Sequence, residues 1–239
     1  MLRFLARGGV AMIVYGKQVC LYILKHCPQR IKEILFAKDI ESAIFSQFAK
    51  LQLPTYRVDS KKAQALCRGG NHQGFLLRIT PPEPTELSEL KSCTRLLLLE
   101  GVTDTHNIGA VFRSAYALGF EAILLTAIQS FALEGAIRTS SGAALHTPFA
   151  LCKDSLSACN ELKLAGFTLL GAVSGGDDWR ASTLPQKLVL CLGSEGEGLR
   201  KRLLAKMHIL VSIGLRHNFD SLNISAAAAI LMDRIQNGR

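Results

Sequence analysis

The fold is decided by the stretch LVLCLGSEGEGLRKRLLAKMHILVSIGLRHNFDSLNISAAAAILMDRI, residues 188–235. An apolar run over 188–192 ends at the glycine-rich segment GSEGEG (193–198), which leads into a helix-like stretch. A second apolar run over 209–213 ends in a polar loop that closes with SLN (221–223). This order predicts strand, glycine loop and helix, followed by strand, polar loop and helix. In an open parallel sheet such loops gather at the carboxyl ends of the strands, where ligands bind.

A third segment lies upstream, NIGAVFRSA at 107–115, with an Asn and an Arg on one loop and helix. Taken singly, the Gly, Ser and Asn residues of such loops are typical of turns and helix caps. Together, 107–115, GSEGEGL at 193–199 and SLNISAAAAI at 221–230 resemble the three signature motifs of the SpoU/TrmH branch of the SPOUT RNA ribose 2′-O-methyltransferases. Three motifs in the family's order make the resemblance specific, whereas a single glycine motif would be weak.

The resemblance implies an α/β fold, with a C-terminal SPOUT-type parallel sheet and trefoil knot preceded by a small ribosomal-protein-like α/β RNA-binding domain. It implies S-adenosylmethionine as the methyl donor and a ribose 2′-hydroxyl as the acceptor. It also implies a homodimer in which each active site draws on both subunits. The positions that match the family's functional residues are Asn107, Arg113, Glu195, Ser221 and Asn223, and those that match its cofactor contacts are Gly193, Ile213 and Leu222.

Arg113 has been proposed in the family to activate the 2′-hydroxyl, yet arginine stays protonated in proteins and is a poor proton acceptor. We therefore interpret it as a cation that pairs with the neighbouring phosphate and stabilises the developing alkoxide. Flanking Phe112 and the small Ser114 and Ala115 predict a partly enclosed guanidinium on the second turn of its helix. Glu195 is interpreted as an organiser of its loop, because an unpaired carboxylate would repel a nearby phosphate.

Three positions depart from the family's pattern. Thr105 and Gly214 stand where Pro is usual, and His217 stands where a small residue, often Gly, is usual. We therefore expect cofactor affinity or substrate choice to differ, although a lone loop histidine is most often simply exposed. Asn107 also has an alternative role, as the cap of the helix that follows it.

The positive charge of the chain is concentrated in its first third. The net charge is +9; residues 1–80 hold 13 Lys/Arg and 4 Asp/Glu, whereas residues 81–239 hold 15 of each. A solvated, solubilising face is one explanation. Such a one-sided distribution favours capture of a polyanion, and hence of nucleic acid, by the first third.

The first third alternates between helical and extended patterns. Predicted helices cover 17–27, 40–51 and 60–67, and predicted strands cover 31–37, 56–58 and 75–79. The loop RGGNHQG (68–74) suits an ordinary turn. It also resembles the G-x-x-H-Q-G loop of the leader domain in the rRNA branch of the family, which implies RNA contacts at Asn71, His72 and Gln73.

The domain organisation follows from these segments. Residues 12–79 are predicted to form the RNA-binding domain, the stiff polar stretch 80–92 a linker, and 93–239 the methyltransferase domain. The later part is predicted to contain strands over 96–99, 122–126 and 167–173 and a helix over 155–165.

Several site classes are disfavoured. The seven cysteines include no CxxC pair, so they are predicted to be reduced core residues, and the adjacent Asp177 and Asp178 are interpreted as solvated, so no metal is expected. No stretch approaches the roughly 20 apolar residues of a membrane helix. The first residues are too short and too interrupted by Arg3 and Arg7 for a secretory signal, which predicts a cytoplasmic protein.

The leading interpretation is a guanosine 2′-O-methyltransferase acting on 23S rRNA, because a basic leader domain with an HQG loop accompanies that branch. A tRNA 2′-O-methyltransferase is the nearest alternative, although that branch usually lacks the leader. A non-catalytic RNA-binding or ribosome-assembly protein is another, in which the three departures have cost activity. A Rossmann dehydrogenase is disfavoured, since no G-x-G-x-x-G follows the first strand.

Overall fold

The structure is a computed structural model that describes residues 11–173, 184–217 and 220–238. The chain divides into two compact units, Met1–Glu83 and Pro84–Arg239. Within the described ranges, no helix combines the length and the apolar character needed to cross a bilayer.

The first unit is a four-stranded sheet flanked by helices. Its strands are β1 (Met12–Tyr15), β2 (Ile31–Phe36), β3 (Thr55–Arg57) and β4 (Phe75–Ile79), and its helices are α1 (Lys17–His26), α2 (Ser42–Ala49) and α3 (Ser60–Leu66). The strand order is β1-β4-β2-β3, with β4 antiparallel to both neighbours and β2 parallel to β3. The six predicted elements are confirmed to within two residues at each end. Strand β1 was not predicted, because its four residues are all apolar or aromatic and show no alternation.

Each face of this sheet is covered by its own apolar cluster. On one face the rings of Phe48 and Phe75 pack edge-on against Phe36. On the other, Leu35 and Leu76 pack with residues of α3. The alternation of buried side chains between the two faces is what a strand period of two requires.

The second unit is built on a six-stranded parallel sheet. Its strands are β5 (Arg95–Glu100), β6 (Ala122–Thr126), β7 (Phe149–Cys152), β8 (Thr168–Ala172), β9 (Leu188–Gly193) and β10 (Ile209–Val211). Its helices are α4 (Leu87–Leu90), α5 (Thr105–Ala117), α6 (Leu133–Thr139), α7 (Ser155–Leu164), α8 (Lys201–Leu204) and α9 (Ile224–Asn237). The short helix α4 lies within the stretch predicted as a linker, and the domain limits given above stay predictions.

The strand order places the functional loops together. The order is β10-β8-β9-β5-β6-β7, and every neighbouring pair is parallel. The central strand β5 is buried on both faces along its four leucines, as predicted for a parallel sheet. Because the strand order reverses beside β5, the carboxyl ends of β5 and β9 lie at a topological switch point, where ligands bind in such sheets. The trefoil knot implied by the resemblance stays a prediction.

Helix α5 begins earlier than the sequence suggested. Its N-cap is Asp104, whose carboxylate accepts the backbone N–H of Asn107 at 2.8 Å. The alternative role of Asn107 as the cap is therefore wrong: Asp104 already satisfies the unpaired first-turn N–H. Arg113 consequently lies on the third turn of the helix and not on the second.

Candidate cofactor and active site

A cavity of about 380 Å³ lies at the carboxyl ends of the parallel strands, a volume within the range of small-molecule sites. Three loops and one helix form it. The lining comprises Ala172 and Val173 at the end of β8, Leu192–Gly198 at the end of β9 and in its loop, Ile213, Leu215, Asp220, Ser221 and Leu222 after β10, and Ile224, Ala227 and Leu231 of α9. The predicted cofactor contacts Gly193, Ile213 and Leu222 all line this cavity, and so does Ser221.

The loop after β9 turns back on itself within six residues. Ser194 and Gly198 form an isolated antiparallel bridge, and the N–H of Gly198 donates to the carbonyl of Ser194 at 2.9 Å. A Cβ on Gly193 would lie 1.8 Å from the carbonyl carbon of Gly198, so no side chain fits there. Gly196 has a φ of +89°, a backbone conformation that glycine adopts most easily. The glycines thus let this loop close tightly at the cavity wall.

The three sequence motifs meet at one oxygen of Glu195. Its Oε1 accepts Nδ2 of Asn107 at 3.2 Å, Nδ2 of Asn223 at 2.6 Å and the backbone N–H of Ile224 at 3.2 Å. Nδ2 of Asn223 lies also 2.9 Å from Oδ1 of Asn107. Because this oxygen accepts three donors from two other segments, at the N-terminus of a 14-residue helix, Glu195 holds the loops together.

Asn223 has a second function as the N-cap of α9. Its Oδ1 accepts the backbone N–H of Ser225 at 2.9 Å, while its amide nitrogen faces Glu195 and Asn107. The side chain is therefore used at both ends, once to begin the helix and once to join the cluster. Substitution by any aliphatic residue would remove both functions.

Arg113 stands apart from this cluster. It lies six residues after Asn107, which is about 240° around the helix and ~9 Å along it. The side chain is exposed and is absent from the cavity lining, so the predicted partial enclosure is wrong for the single chain. Within the described ranges, it forms no hydrogen bond or ion pair.

The positions that depart from the family's pattern differ in their surroundings. Thr105 is the first residue of α5, and a Cβ on Gly135 of α6 would lie 2.5 Å from its Cγ2, so the two helices approach closely there. His217 is exposed and has a φ of +61°. Since that conformation costs less for glycine than for a residue with a Cβ, His217 carries backbone strain in the loop beside the cavity.

In the first unit, the predicted RNA-contacting loop is braced by its own side chains. Nδ1 of the buried His72 accepts the N–H of Gly74 at 3.1 Å. Oε1 of Gln73 accepts the N–H of Lys17 at 2.9 Å and so satisfies a donor at the start of α1. Asn71 is exposed, and its Oδ1 accepts the N–H of Gln73 at 3.2 Å. Contacts of these three residues with RNA stay a prediction.

Two features near the site were not predicted from the sequence: the part of the cavity wall at the end of β8, and a buried glutamate. Ala172 and Val173 line the cavity because β8 ends at the same sheet edge, which the parallel pattern could have indicated. Glu100 is a buried acid at the end of the run LLLLE. A charge at the end of a buried strand requires a partner, and this signal was available in the sequence.

Among the residues that the structure describes, no three His, Cys, Asp or Glu side chains lie close enough together to hold a metal ion. Asp177 and Asp178 lie outside the described residues. All seven cysteines are unbridged, five of them buried.

Two family models match the chain. One, described as the SpoU rRNA Methylase family, matches residues 94–233, and the other, RNA 2'-O ribose methyltransferase substrate binding, matches residues 13–85. The second match lies largely in the first unit, and the first match lies within the second unit.

Curated relatives and solved structures match over nearly the whole chain. The 23S rRNA (guanosine-2'-O-)-methyltransferase RlmB of Neisseria meningitidis serogroup B is 27% identical over 95% of this chain and 95% of its own. The protein of the same name from Escherichia coli K12 is 28% identical over 92% of this chain and 96% of its own. The crystal structure of an AdoMet-bound rRNA methyltransferase from Sinorhizobium meliloti has a TM-score of 0.75 at 19% identity, covering 95% of this chain and 87% of that one.

Proposed function

The chain belongs to the SpoU rRNA Methylase family, and on that premise we propose that it transfers a methyl group from S-adenosylmethionine to a ribose 2′-hydroxyl of RNA. The observation that carries this proposal is the convergence of Asn107, Asn223 and the start of α9 on Glu195, beside a cavity of cofactor size. We further propose a guanosine of 23S rRNA as the target, as in the names of the curated relatives, and the cytoplasm as the place of action.

The cavity fits the proposed cofactor in size and in chemistry. Apolar residues, among them Leu192, Ala227 and Leu231, line the cavity and suit a flat adenine ring. The missing side chain at Gly193 lets the backbone of Gly198 and Leu199 close against it, which keeps the Glu195 loop compact at the cavity wall. When bound, S-adenosylmethionine supplies an electrophilic methyl group on a sulfonium. The proposed contribution of Gly193, Ile213 and Leu222 is to bind and orient that molecule, mainly through backbone groups.

The remaining residues align the acceptor. Glu195 is occupied by three donors, which supports an organising role and argues against proton transfer. Asn107 and Asn223 are held beside the cavity through it, and Ser221 presents an exposed hydroxyl at its wall. Such preorganisation lowers the entropy cost of bringing two reactants into line.

We propose that Arg113 acts in a homodimer, in the active site of the partner subunit. Its exposure and its position about 240° around α5 from Asn107 support a role toward a second chain. In that site the guanidinium would pair with a phosphate beside the target ribose and stabilise the alkoxide as it forms, with no need to remove a proton.

The test is methyl transfer from labelled S-adenosylmethionine to protein-free 23S rRNA and, separately, to bulk tRNA. We expect label in 23S rRNA that digests to 2′-O-methylguanosine, and a loss of about 100-fold or more in Arg113→Ala. Arg202→Ala, which removes an exposed arginine on α8, is the matched control and is expected to keep most of the activity.

The other outcomes distinguish the alternatives. Label in tRNA alone would keep the chemistry and replace the substrate. Absence of label from both RNAs, together with RNA binding, would favour a non-catalytic RNA-binding or assembly protein. Full activity of Arg113→Lys would show that the forked geometry of the guanidinium has no importance.

A further inference from the structure

A buried carboxylate lies beside Gly193, a residue of the cavity wall. Glu100 ends β5, and its side chain is 2% exposed. Its Oε2 accepts the backbone N–H of Arg200 at 3.0 Å, and its Oε1 accepts Nε of the same residue at 2.8 Å. Nη2 of Arg200 lies 2.7 Å from that oxygen as well. One residue therefore satisfies both oxygens of the buried acid.

The guanidinium of Arg200 also reaches a second element. Its Nη2 donates to the hydroxyl of Ser155 at 3.2 Å, at the start of α7. That hydroxyl donates to Oγ1 of Thr126 at 2.9 Å, and Thr126 donates to the carbonyl of Leu99 at 3.3 Å. Arg200 is thus fixed at once to the end of β5, the end of β6 and the start of α7.

The position of this pair in the chain links it to the cavity. Glu100 begins the loop that leads to Asn107, and Arg200 comes two residues after Gly198, where the loop that carries Glu195 ends. The other end of that loop is held by β9, which pairs with β5 up to Gly193. The Glu100–Arg200 pair therefore fixes the free end of the Glu195 loop to the strand that precedes Asn107.

We propose that Glu100 and Arg200 are positioning residues for the cofactor: their ion pair sets where Glu195 meets Asn107 and Asn223, and hence how tightly S-adenosylmethionine binds. The inference rests on the proposed function for the identity of the ligand. Neither residue lines the cavity, so their effect is exerted through the loop and not by contact.

The experiment distinguishes an effect on the position of the Glu195 loop from an effect on the stability of the fold, because both charges are removed together. Loss of Arg200 alone leaves a buried, unpaired carboxylate and is expected to destabilise the fold, whereas Glu100→Gln/Arg200→Met leaves no orphaned charge. Isothermal titration calorimetry measures S-adenosylmethionine binding, and differential scanning calorimetry measures the melting temperature. Both are applied to wild type, the double variant, Arg200→Lys and the control Arg202→Met. Arg200→Lys keeps a positive charge beside Glu100 but loses the fork that spans Glu100 and Ser155.

We expect the double variant and Arg200→Lys to melt within a few degrees of wild type and to bind S-adenosylmethionine about tenfold more weakly or worse. Arg202→Met is expected to bind as wild type does. A stable double variant with wild-type affinity would overturn the inference, and so would unfolding of both the double variant and Arg200→Lys, since the pair would then be structural only. Absence of binding by the wild type would instead overturn the proposed function, and the inference with it.

Discussion

Gly193 is the residue at which a single methyl group has the largest expected effect on the site. A Cβ there would meet three backbone atoms of Gly198 and Leu199 within 2.2 Å, and backbone cannot move aside as a flexible side chain can. We expect Gly193→Ala to displace the Glu195 loop, to cost about 3 kcal/mol of unfolding free energy and to abolish measurable S-adenosylmethionine binding. Urea unfolding and calorimetric titration measure the two effects.

Gly196 in the same loop is the matched control. A Cβ at Gly196 meets nothing within 4 Å, so Gly196→Ala carries only the cost of its left-handed backbone, about 1–2 kcal/mol. Cofactor binding should weaken far less than in Gly193→Ala. Equal losses in the two variants would show that loop strain, and not the close approach of Gly193 to Gly198, governs the site.

Two elements at the sheet edge are joined through a histidine whose charge state matters. Nδ1 of His208 accepts the N–H of Leu169 in β8 at 2.9 Å, just before β10 begins. Partial desolvation and the positive charge of Lys163 lower the pKa of His208 below 6.5. A proton on Nδ1 would turn the acceptor into a donor and break this bond.

The pH dependence of stability follows from the direction of that shift. The unfolded chain protonates this histidine near pH 6.5, whereas the folded chain protonates it only at lower pH. The stability contributed by neutral His208 is therefore complete above about pH 6.5 and falls as the pH drops toward the folded pKa. We expect urea midpoints at about pH 7.5 and 5.5 to differ more for wild type than for His208→Gln. A difference that is unchanged in His208→Gln would contradict the assignment.

Individual elements show what the sequence could and could not predict. Strands 75–79 and 122–126 were predicted at their observed limits: Pro81 and Pro82 follow the first, and the second is an apolar run that ends at Thr126. The sequence offered Asn107 as the N-cap of α5, whereas the structure has Asp104 there, because Asp and Asn both favour that position. The meeting of Asn107, Glu195 and Asn223 joins residues 88 and 28 positions apart, and neither periodicity nor composition indicates such pairs. The motif resemblance named the three residues, but their hydrogen bonds required the fold.

At the scale of the whole molecule, the proposed division of each active site between two chains has a sharp test. In a symmetric dimer, a chain with Arg113→Ala keeps an intact cavity, and a chain with Asn223→Ala keeps an intact Arg113. If Arg113 acts in the partner's site, a mixed dimer contains one complete site; if it acts in its own chain, a mixed dimer contains none. Asn223→Ala also removes the cap of α9, at a cost of about 1 kcal/mol that the fold should tolerate.

We therefore expect the two variants to be inactive separately and to recover about a quarter of wild-type methyl transfer after subunit exchange, because half of the dimers are mixed and each has one of two sites. The matched control mixes Asn223→Ala with Gly193→Ala, which both alter the cavity side and should not complement. Recovery in the first mixture alone establishes that Arg113 acts across the dimer. Both mixtures could instead stay inactive although mass spectrometry shows that the subunits have exchanged. Arg113 would then act in the active site of its own chain. Its exposure would mean that RNA, and not a second subunit, completes that site.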